Sequence, residues 1–555
     1  MEEEVTVRAH SPDLFLKHEA GRLQDELFSA LIPTHHGERG FFAKDHLFDI
    51  LTEERGAKGQ DGSSSCGGQS KTKSFVKVLA ILVIIEKTSS ILKLLEEDVN
   101  DSTLPLSKAA RSNGEKLYDL RDGKRPNMTL RCFENWNQLN IRNFEEWQWT
   151  TLPVDFVGAA ENEDVDVKHL SLQDQEILPF IKDGRDSELQ YSRRTEFEGG
   201  FASVFRVAIH SQHHNFHSSS DERDQAFFAV KSLHSQSQTA FAREVEILKK
   251  FSVKKHDHLI NLLATYEKMG RFFLVFNWAE ADLQEYWKSV NPVPQFDLST
   301  VHWMAMQCKG IAHGIIKIHE HKSMYAKQGG NGTGNKNVVF GHHGDIKPEN
   351  VLWFADSSQS DKAKGGTLKL SDFGLAEFSI HQTTSMPPKK NLGVSLAYRA
   401  PEADLQQGKA MGRSYDIWTL GCLYLEFITW MLGGSKLLNE FLEARKNHDV
   451  MWHEIETHTF FKLEIDAETR KPTAVIKPAV KKFIRRLHSH QNCSQVIHDF
   501  LDMIEKNILV VKTNRPQEAE RFEIKQVHQA LIPMLERCEK SAEYAISPVP
   551  WLFRT

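Results

Sequence analysis

Along the first third of the chain, apolar residues recur every three to four positions, as they do on one face of a helix. The spacing predicts helices from Leu14 to Leu31 and from Phe42 to Glu54, and a longer helical segment from Ser74 to Asp98. Between them, Gly56 to Lys73 is mostly Gly, Ser, Gln and Lys, which predicts a flexible loop. Trp147 and Trp149 lie beside Leu152 and Pro153. They either pack this helical part onto its neighbour or form a docking surface for a peptide or partner. From about residue 186 the pattern changes to short runs rich in Val, Phe and Ala, such as Phe201 to Ile209 and Phe227 to Leu233, bounded by polar stretches as strands are. Ser211 to Gln225 reads as a polar hairpin loop whose histidines are loop residues rather than metal ligands. From Asp297 onward the pattern is again mostly helical, interrupted by polar insertions at Lys322 to Asn337 and Asp356 to Gly366. No internal repeat is visible.

The changes of period divide the chain into a helical region over 1–185 with its loop at about 56–73, and a second region over 186–540. The second region splits into a β-rich part to about 280 and a helical part over 281–540, leaving a tail at 541–555. At 555 residues, two or more domains are expected. The balance of 69 Lys and Arg against 75 Asp and Glu gives a formal net charge of −6, which makes no case for broad nucleic-acid or anionic-membrane binding. The six cysteines are scattered without a C-x-x-C pair, which argues against a disulfide framework or a zinc site and fits a reducing compartment. The start, Met1-Glu2-Glu3-Glu4, carries no apolar signal core. The apolar run from Phe75 to Ile85, broken by Lys77, is too short to span a bilayer. An intracellular protein, cytoplasmic or nuclear, is expected. The basic run Lys481 to Arg486 reads as a solvated helix face rather than a nuclear signal.

Chemistry concentrates in three short blocks: His343-Gly344-Asp345-Ile346-Lys347-Pro348-Glu349-Asn350, then Asp372-Phe373-Gly374, then Ala400-Pro401-Glu402. Phosphoryl transfer from ATP needs a carboxylate for the incoming hydroxyl, oxygen ligands for Mg²⁺ and a cation near the moving phosphate. The D-x-K-x-x-N spacing and the following Asp supply these residue types. Upstream, Lys231 closes the strand-like Phe228-Ala229-Val230-Lys231. Thirteen residues on, Glu244 lies in a helical segment whose Phe241, Val245 and Leu248 share one face. Glu246 is a rival for pairing with Lys231, but it points about 200° away around the helix.

In order and spacing these motifs resemble the signature set of eukaryotic-type Ser/Thr protein kinases, over about residues 187–540. The H-G-D-I-K-P-E-N block with an upstream W-Q-W segment is similar to a group of filamentous-fungal kinase-domain proteins with a helical N-terminal extension. The resemblance implies an α+β, bilobal kinase fold preceded by a helical region, and a protein substrate bearing a Ser or Thr acceptor. It implies ATP and Mg²⁺ as cofactors. Asp345 would align the hydroxyl, Lys347 would neutralise the transferring group, and Asn350 and Asp372 would hold the metal. Lys231 paired with Glu244 would grip the phosphates. Val204, Ala229 and Leu352 would sandwich the adenine, with Phe276 beside the pocket and Asn277, Trp278 and Ala279 as the hinge. Glu198, Gly199 and Gly200 would cover the phosphates. Leu248, Leu262, His343 and Phe373 would stack as an apolar column. Glu402 would pair with Arg515, and Asp416 would anchor the catalytic-loop backbone. Lys347 and Ser395 favour Ser/Thr over Tyr.

Two positions depart from the family pattern. The glycine-rich loop G-x-G-x-x-G appears here as Phe197, Gly199 and Ala202, which predicts a stiffer loop and weaker ATP binding. This favours the alternative of a catalytically silent scaffold that docks partners through the helical N-terminal region. Gly344 stands where regulated kinases carry the Arg that grips an activation-segment phosphate, so phosphorylation of Thr383, Thr384 or Ser385 is not expected to be required. The H-G-D triplet also resembles small-molecule kinases of the aminoglycoside and choline type, but those lack the Lys two residues after the Asp and the A-P-E segment.

Overall fold

The computed structural model describes the chain apart from residues 1–11, 35–38, 52–73, 111–116, 159–166, 185–195, 199–201, 217–226, 234–240, 243–244, 247, 250–254, 321, 326–336, 357–364, 373–396, 406–411, 449–455, 467–469, 513–519 and 552–555. The loop expected at 56–73 lies outside the described residues. The class is α+β. Two compact units form, one of residues 1–234 with 263–275 and the other of 235–262 with 276–555.

In the first unit, helices α1 (Pro12–Ala30), α2 (Lys44–Leu51), α3 (Val76–Ile84), α4 (Ile91–Glu96) and α5 (Gln138–Trp147) pack with a hairpin, β1 (Leu106–Ala110) and β2 (Tyr118–Asp122). Their common core includes Leu27, Leu47, Val78, Ile81, Leu82, Leu94, Leu120, Ile141 and Phe144. The segment expected as one helix over Ser74 to Asp98 breaks into α3 and α4. Glu86 takes a left-handed φ of 57°, and the Lys87 N–H turns back to the Leu82 carbonyl at 2.7 Å. Such a reversal is how helices commonly end.

A seven-stranded sheet completes this unit. Its strands are β3 (His169–Ser171), β4 (Phe180–Asp183), β5 (Glu196–Glu198), β6 (Ala202–Ile209), β7 (Phe227–Leu233), β8 (Leu262–Lys268) and β9 (Arg271–Asn277), in the order β3-β8-β9-β7-β6-β4 with β5 also on β6. The sheet therefore begins before residue 186, because β3 pairs parallel to β8 and β4 pairs antiparallel to β6. Alternation along β6 and β7 sends Phe205, Val207, Phe228 and Val230 to one face. All are at most 1% exposed and share a cluster with Phe156, Phe180 and Tyr266. Each such burial is worth about 1.5–3 kcal/mol. Trp149 packs with Phe41 and Ile177 in a smaller cluster, while Trp147 meets Phe28 edge-on at 5.7 Å. His213, expected in a polar loop, is 2% exposed, and its Nδ1 lies 2.8 Å from Asp155.

In the second unit, α6 (Leu298–Glu320) starts at Asp297, whose carboxylate accepts the Thr300 N–H at 2.8 Å as an N-cap. Three strands follow one another in space: β10 (Ala281–Asp282), β13 (Val351–Phe354) and β14 (Thr367–Leu370). The first polar insertion opens as a hairpin of β11 (Lys322–Tyr325) and β12 (Asn337–Phe340). A short helix, α7 (Pro401–Leu405), precedes α8 (Arg413–Ala444), which changes direction at Gly434. By length and composition alone α8 could cross a membrane, but its most apolar stretch is 94% buried against the protein. It is the central core helix of this unit.

Candidate active site

The central three-stranded sheet sets the site. β13 and β14 pair in register, Val351 opposite Leu370 and Phe354 opposite Thr367. From α6, Gln307 accepts the Leu368 N–H at 2.9 Å and the Trp303 indole donates to the Gly366 carbonyl at 2.8 Å. On the outer side of β14, the Leu370 N–H donates to the His258 carbonyl, and the Ile260 N–H donates back to Leu370, both at 2.9 Å. Both edges of β14 are thus pinned, which steadies its partner β13 directly after the loop 343–350 and delivers Asp372.

The loop itself is held from below by Asp416 on α8. Its carboxylate accepts the backbone N–H of His343 at 2.7 Å and of Gly344 at 2.8 Å, and lies 2.7 Å from His319 Nε2. Asp416 is fully buried. Burial opposes its charge, but the His319 bond, the neighbouring histidines and the Gly344 N–H outweigh that cost and leave it below the usual carboxylate range. His343 bridges onward: Nδ1 accepts the Asp345 N–H at 3.2 Å, so the neutral ring carries its proton on Nε2 and donates to the Ser371 carbonyl at 2.9 Å. Gly344 has φ +81°, a left-handed backbone that an arginine rarely adopts. The departure at this position is therefore matched by the local backbone.

Three polar side chains then converge. Lys347 Nζ donates to Asp345 Oδ2 at 2.7 Å, and Asn350 Nδ2 donates to the same oxygen and to the Asp345 carbonyl, both at 2.8 Å. Burial works to lower the Lys347 pKa, but Asp345, Glu349 and Asp372 together raise it, so the ammonium stays charged. The Ser371 N–H and hydroxyl both donate to the Asn350 carbonyl, at 2.9 and 3.0 Å, which ties Asp372 to this group. Asp372 has φ +60°, an uncommon conformation that Asp tolerates better than most residues and that concentrates at functional sites.

Of the residues expected around the nucleotide, Val204 pairs directly with Lys231, and Ala229 lies two residues before it on β7. All three therefore share one face of the sheet, opposite the buried Phe205 face. Phe276 and Asn277 end β9, Trp278 and Ala279 follow, and the Glu280 N–H donates to the Trp353 carbonyl beside β10. Leu352 is on β13. Glu198 lies in β5, paired with Ser203. Gly199, Gly200, Glu244, Phe373, Ser395, Thr383, Thr384, Ser385 and Arg515 lie outside the described residues. Leu248, Leu262 and His343 are buried.

The expected partner of Glu402, Arg515, lies outside the described residues. Glu402 is held by Arg521, which donates to its two oxygens at 2.6 and 3.2 Å. Arg521 also donates to the carbonyls of Val510 and Ser414, and its guanidinium lies over the Trp418 ring at 5.1 Å. A planar five-donor group suits this crowded acceptor set. Arg521 was missed because it sits in a polar stretch that carries no motif. His319 was likewise missed; its only sequence signal is its place in the last turn of α6. Nearby, Tyr398 donates to Glu426 at 2.6 Å and Arg399 reaches Asp404 at 3.0 Å, extending the support under α7.

A loop held to a buried helix carboxylate, with Asp, Lys and Asn converging beside a second Asp, belongs to the phosphoryl-transfer class of sites. The chain belongs to the protein kinase family: the model of the protein kinase domain matches residues 216–507, slightly over half of it. Similar relatives include the cyclin-dependent kinase 7 of Dictyostelium discoideum, 32% identical over 188 residues, covering 34% of this chain and 41% of the relative. Cyclin-dependent kinase E-1 of Arabidopsis thaliana is 24% identical over 266 residues, covering 48% of this chain and 50% of the relative. Cyclin-dependent kinase 4 of Ovis aries is 29% identical over 189 residues, covering 33% and 50%. The chain thus spans half or less of the length of these curated relatives.

Proposed function

We propose that this chain transfers the γ-phosphoryl group of ATP to Ser or Thr hydroxyls of protein substrates. The observation that carries the proposal is the shared hydrogen bonding of Asp345, Lys347 and Asn350 on a loop fixed by Asp416. Asp345 accepts the substrate hydroxyl proton and aims its oxygen, with the other carboxylate oxygen oriented by Lys347 and Asn350. Lys347, kept cationic, offsets negative charge on the group in transfer. A hard divalent cation fits the donor set. Asn350 uses its Nδ2 on Asp345, which leaves Oδ1 as its acceptor, and Asp372 supplies carboxylate oxygens. Mg·ATP, when bound, supplies the phosphoryl group and a counter-charge. Lys231 with Glu244 holds the phosphates, and Val204, Ala229 and Leu352 contact the adenine near Phe276 to Ala279. Glu198, Gly199 and Gly200 belong to the covering loop. The five described buried cysteines, all unpaired, support an intracellular setting.

Phe197 and Ala202 in place of two glycines favour a second reading, a scaffold that has lost nucleotide turnover. The deciding experiment is radiolabelled phosphate transfer to generic acceptor proteins by the wild type beside Asp345→Asn. Transfer by the wild type that falls about 10²–10⁴-fold in the variant supports the enzyme. Absence of transfer together with no thermal stabilisation by millimolar Mg·ATP supports the scaffold.

A further inference from the structure

Far along the chain from the catalytic loop, three side chains converge on one point. His488 ends α9 (Pro478–His488), Cys493 lies in the turn that follows, and His498 is in the first turn of α10 (Gln495–Met503). Among the described residues they are the one group of three His, Cys, Asp or Glu with ligand atoms close enough to hold a single ion, all within 4.8 Å. The two Nδ1 atoms face each other at 2.7 Å between stacked rings, and Cys493 Sγ lies 3.7 Å from His498 Nδ1. Exposure is 3%, 0% and 7% along the trio.

The outer nitrogens are also committed. His498 Nε2 meets the Val549 carbonyl at 2.9 Å, an acceptor, so in the neutral ring the proton sits there and Nδ1 is a bare lone pair. His488 Nε2 faces Asp502 Oδ1 at 3.8 Å, again an acceptor. With the His488 proton also on its outer nitrogen, facing Asp502, two lone pairs and a thiol would point at one another, an arrangement suited to a cation between them. A carbonyl and a carboxylate behind the rings are the usual outer partners of metal-bound histidines. The C-terminal segment closes the place. The Val549 N–H donates to the Cys493 carbonyl at 2.9 Å, Ser494 Oγ donates to the Ala545 carbonyl at 2.7 Å, and Trp551 stacks on His488 at 5.0 Å.

We propose that His488 Nδ1, Cys493 Sγ and His498 Nδ1 bind a Zn²⁺, with a solvent oxygen as fourth ligand, that fastens the α9–α10 turn to the segment 545–551. Nitrogen and thiolate donors suit this borderline-soft ion, and tetrahedral ligands at about 2.0 and 2.3 Å stand about 3.3–3.5 Å apart. The spacings of 2.7 and 3.7 Å bracket that range and the third lies within 4.8 Å, so rotation of the rings and of the thiol brings the three donors to one ion. The Cys493 S–H proton leaves to solvent as the thiolate binds. A zinc site built on paired cysteines is not expected from the scattered cysteines. This site instead uses one cysteine flanked by histidines five residues away on each side.

The competing arrangement is an N–H···N bond between the two imidazoles, which holds no metal. The test uses the full chain, purified without chelator and dialysed against Zn²⁺, then measured by elemental analysis. About one zinc per chain is expected, lost in the double variant Cys493→Ser, His498→Gln while far-UV circular dichroism is retained. Co²⁺ replacement in the wild type should give a thiolate charge-transfer band together with tetrahedral ligand-field absorption. This measurement serves if the double variant does not fold. Chelator should lower the thermal midpoint of the wild type by several degrees. Less than about a tenth of an equivalent in the wild type, no thiolate band, or zinc retained by a folded double variant each overturns the proposal.

Discussion

Two aspartates in this site accept hydrogen bonds at similar distances yet are predicted to fail in opposite ways. Asp345 is one-third exposed and faces groups that also reach solvent. Replacing it by Asn removes the proton acceptor but little burial, so transfer should fall about 10²–10⁴-fold with the thermal midpoint nearly unchanged. Asp416 is fully buried and accepts two backbone N–H groups besides His319. An Asn there turns an NH₂ toward a donor and leaves a buried donor unmet, costing roughly 2–4 kcal/mol. Paired kinase assays and urea melts of the two variants check the contrast. Equal loss of stability in both would refute it. The motif residues were legible because D-x-K-x-x-N is a local spacing that a loop imposes on itself. The contact of Glu402 with Arg521 was not, because 119 residues separate the two and only the fold brings them together.

Between residue and molecule, individual elements carry their own tests. The segment His256–Ile260 clamps β14, and His256 Nε2 lies 2.8 Å from His313 Nδ1 on α6. Burial, then the neighbouring His313 and His258, lowers the His256 pKa to about 4, with Lys317 acting the same way and Asp257 opposing. A folded value below the unfolded 6.5 means that the unfolded chain binds the extra proton first as pH falls. The stability contributed by neutral His256 is therefore full above pH 6.5 and declines from there to about pH 4. Thermal melts across that window should show a steeper acid loss in the wild type than in His256→Gln, and identical slopes would contradict the assignment. Gly434 makes a second element-level case. Its φ of +66° breaks α8, and an added Cβ would lie 2.4 Å from the Pro292 carbonyl, which also accepts the Ser435 N–H at 2.8 Å. Gly434→Ala should cost more than about 2 kcal/mol in urea unfolding. The long helices were readable from their period. β3 and β4, at three and four residues, were too short to show any alternation, and the break at Glu86 carries no Gly or Pro to announce it.

For the whole molecule, the first compact unit joins what the change of pattern at residue 186 divides. Residues before that point give the sheet two strands, and Val154, Phe156 and Phe180 share one buried cluster with Phe205, Val207, Phe228 and Val230. Phe156 stacks near-parallel on Phe180 at 6.2 Å and meets Tyr266 edge-on at 5.9 Å. Removing residues 1–185 would uncover that face, strip β4 from β6 and β3 from β8, and present unpaired strand edges of the kind that drive association. A chain of residues 186–555 is therefore expected to be recovered mainly as aggregate, or as a dye-binding species that melts well below the full protein, even though it contains every motif of the catalytic loop. Size-exclusion chromatography with hydrophobic-dye fluorescence on the two chains measures this. If the shorter chain is monomeric, dye-silent and as thermally stable as the longer one, the first 185 residues are a separable appendage. The shared core argues that they are instead part of what keeps the sheet carrying Lys231 folded.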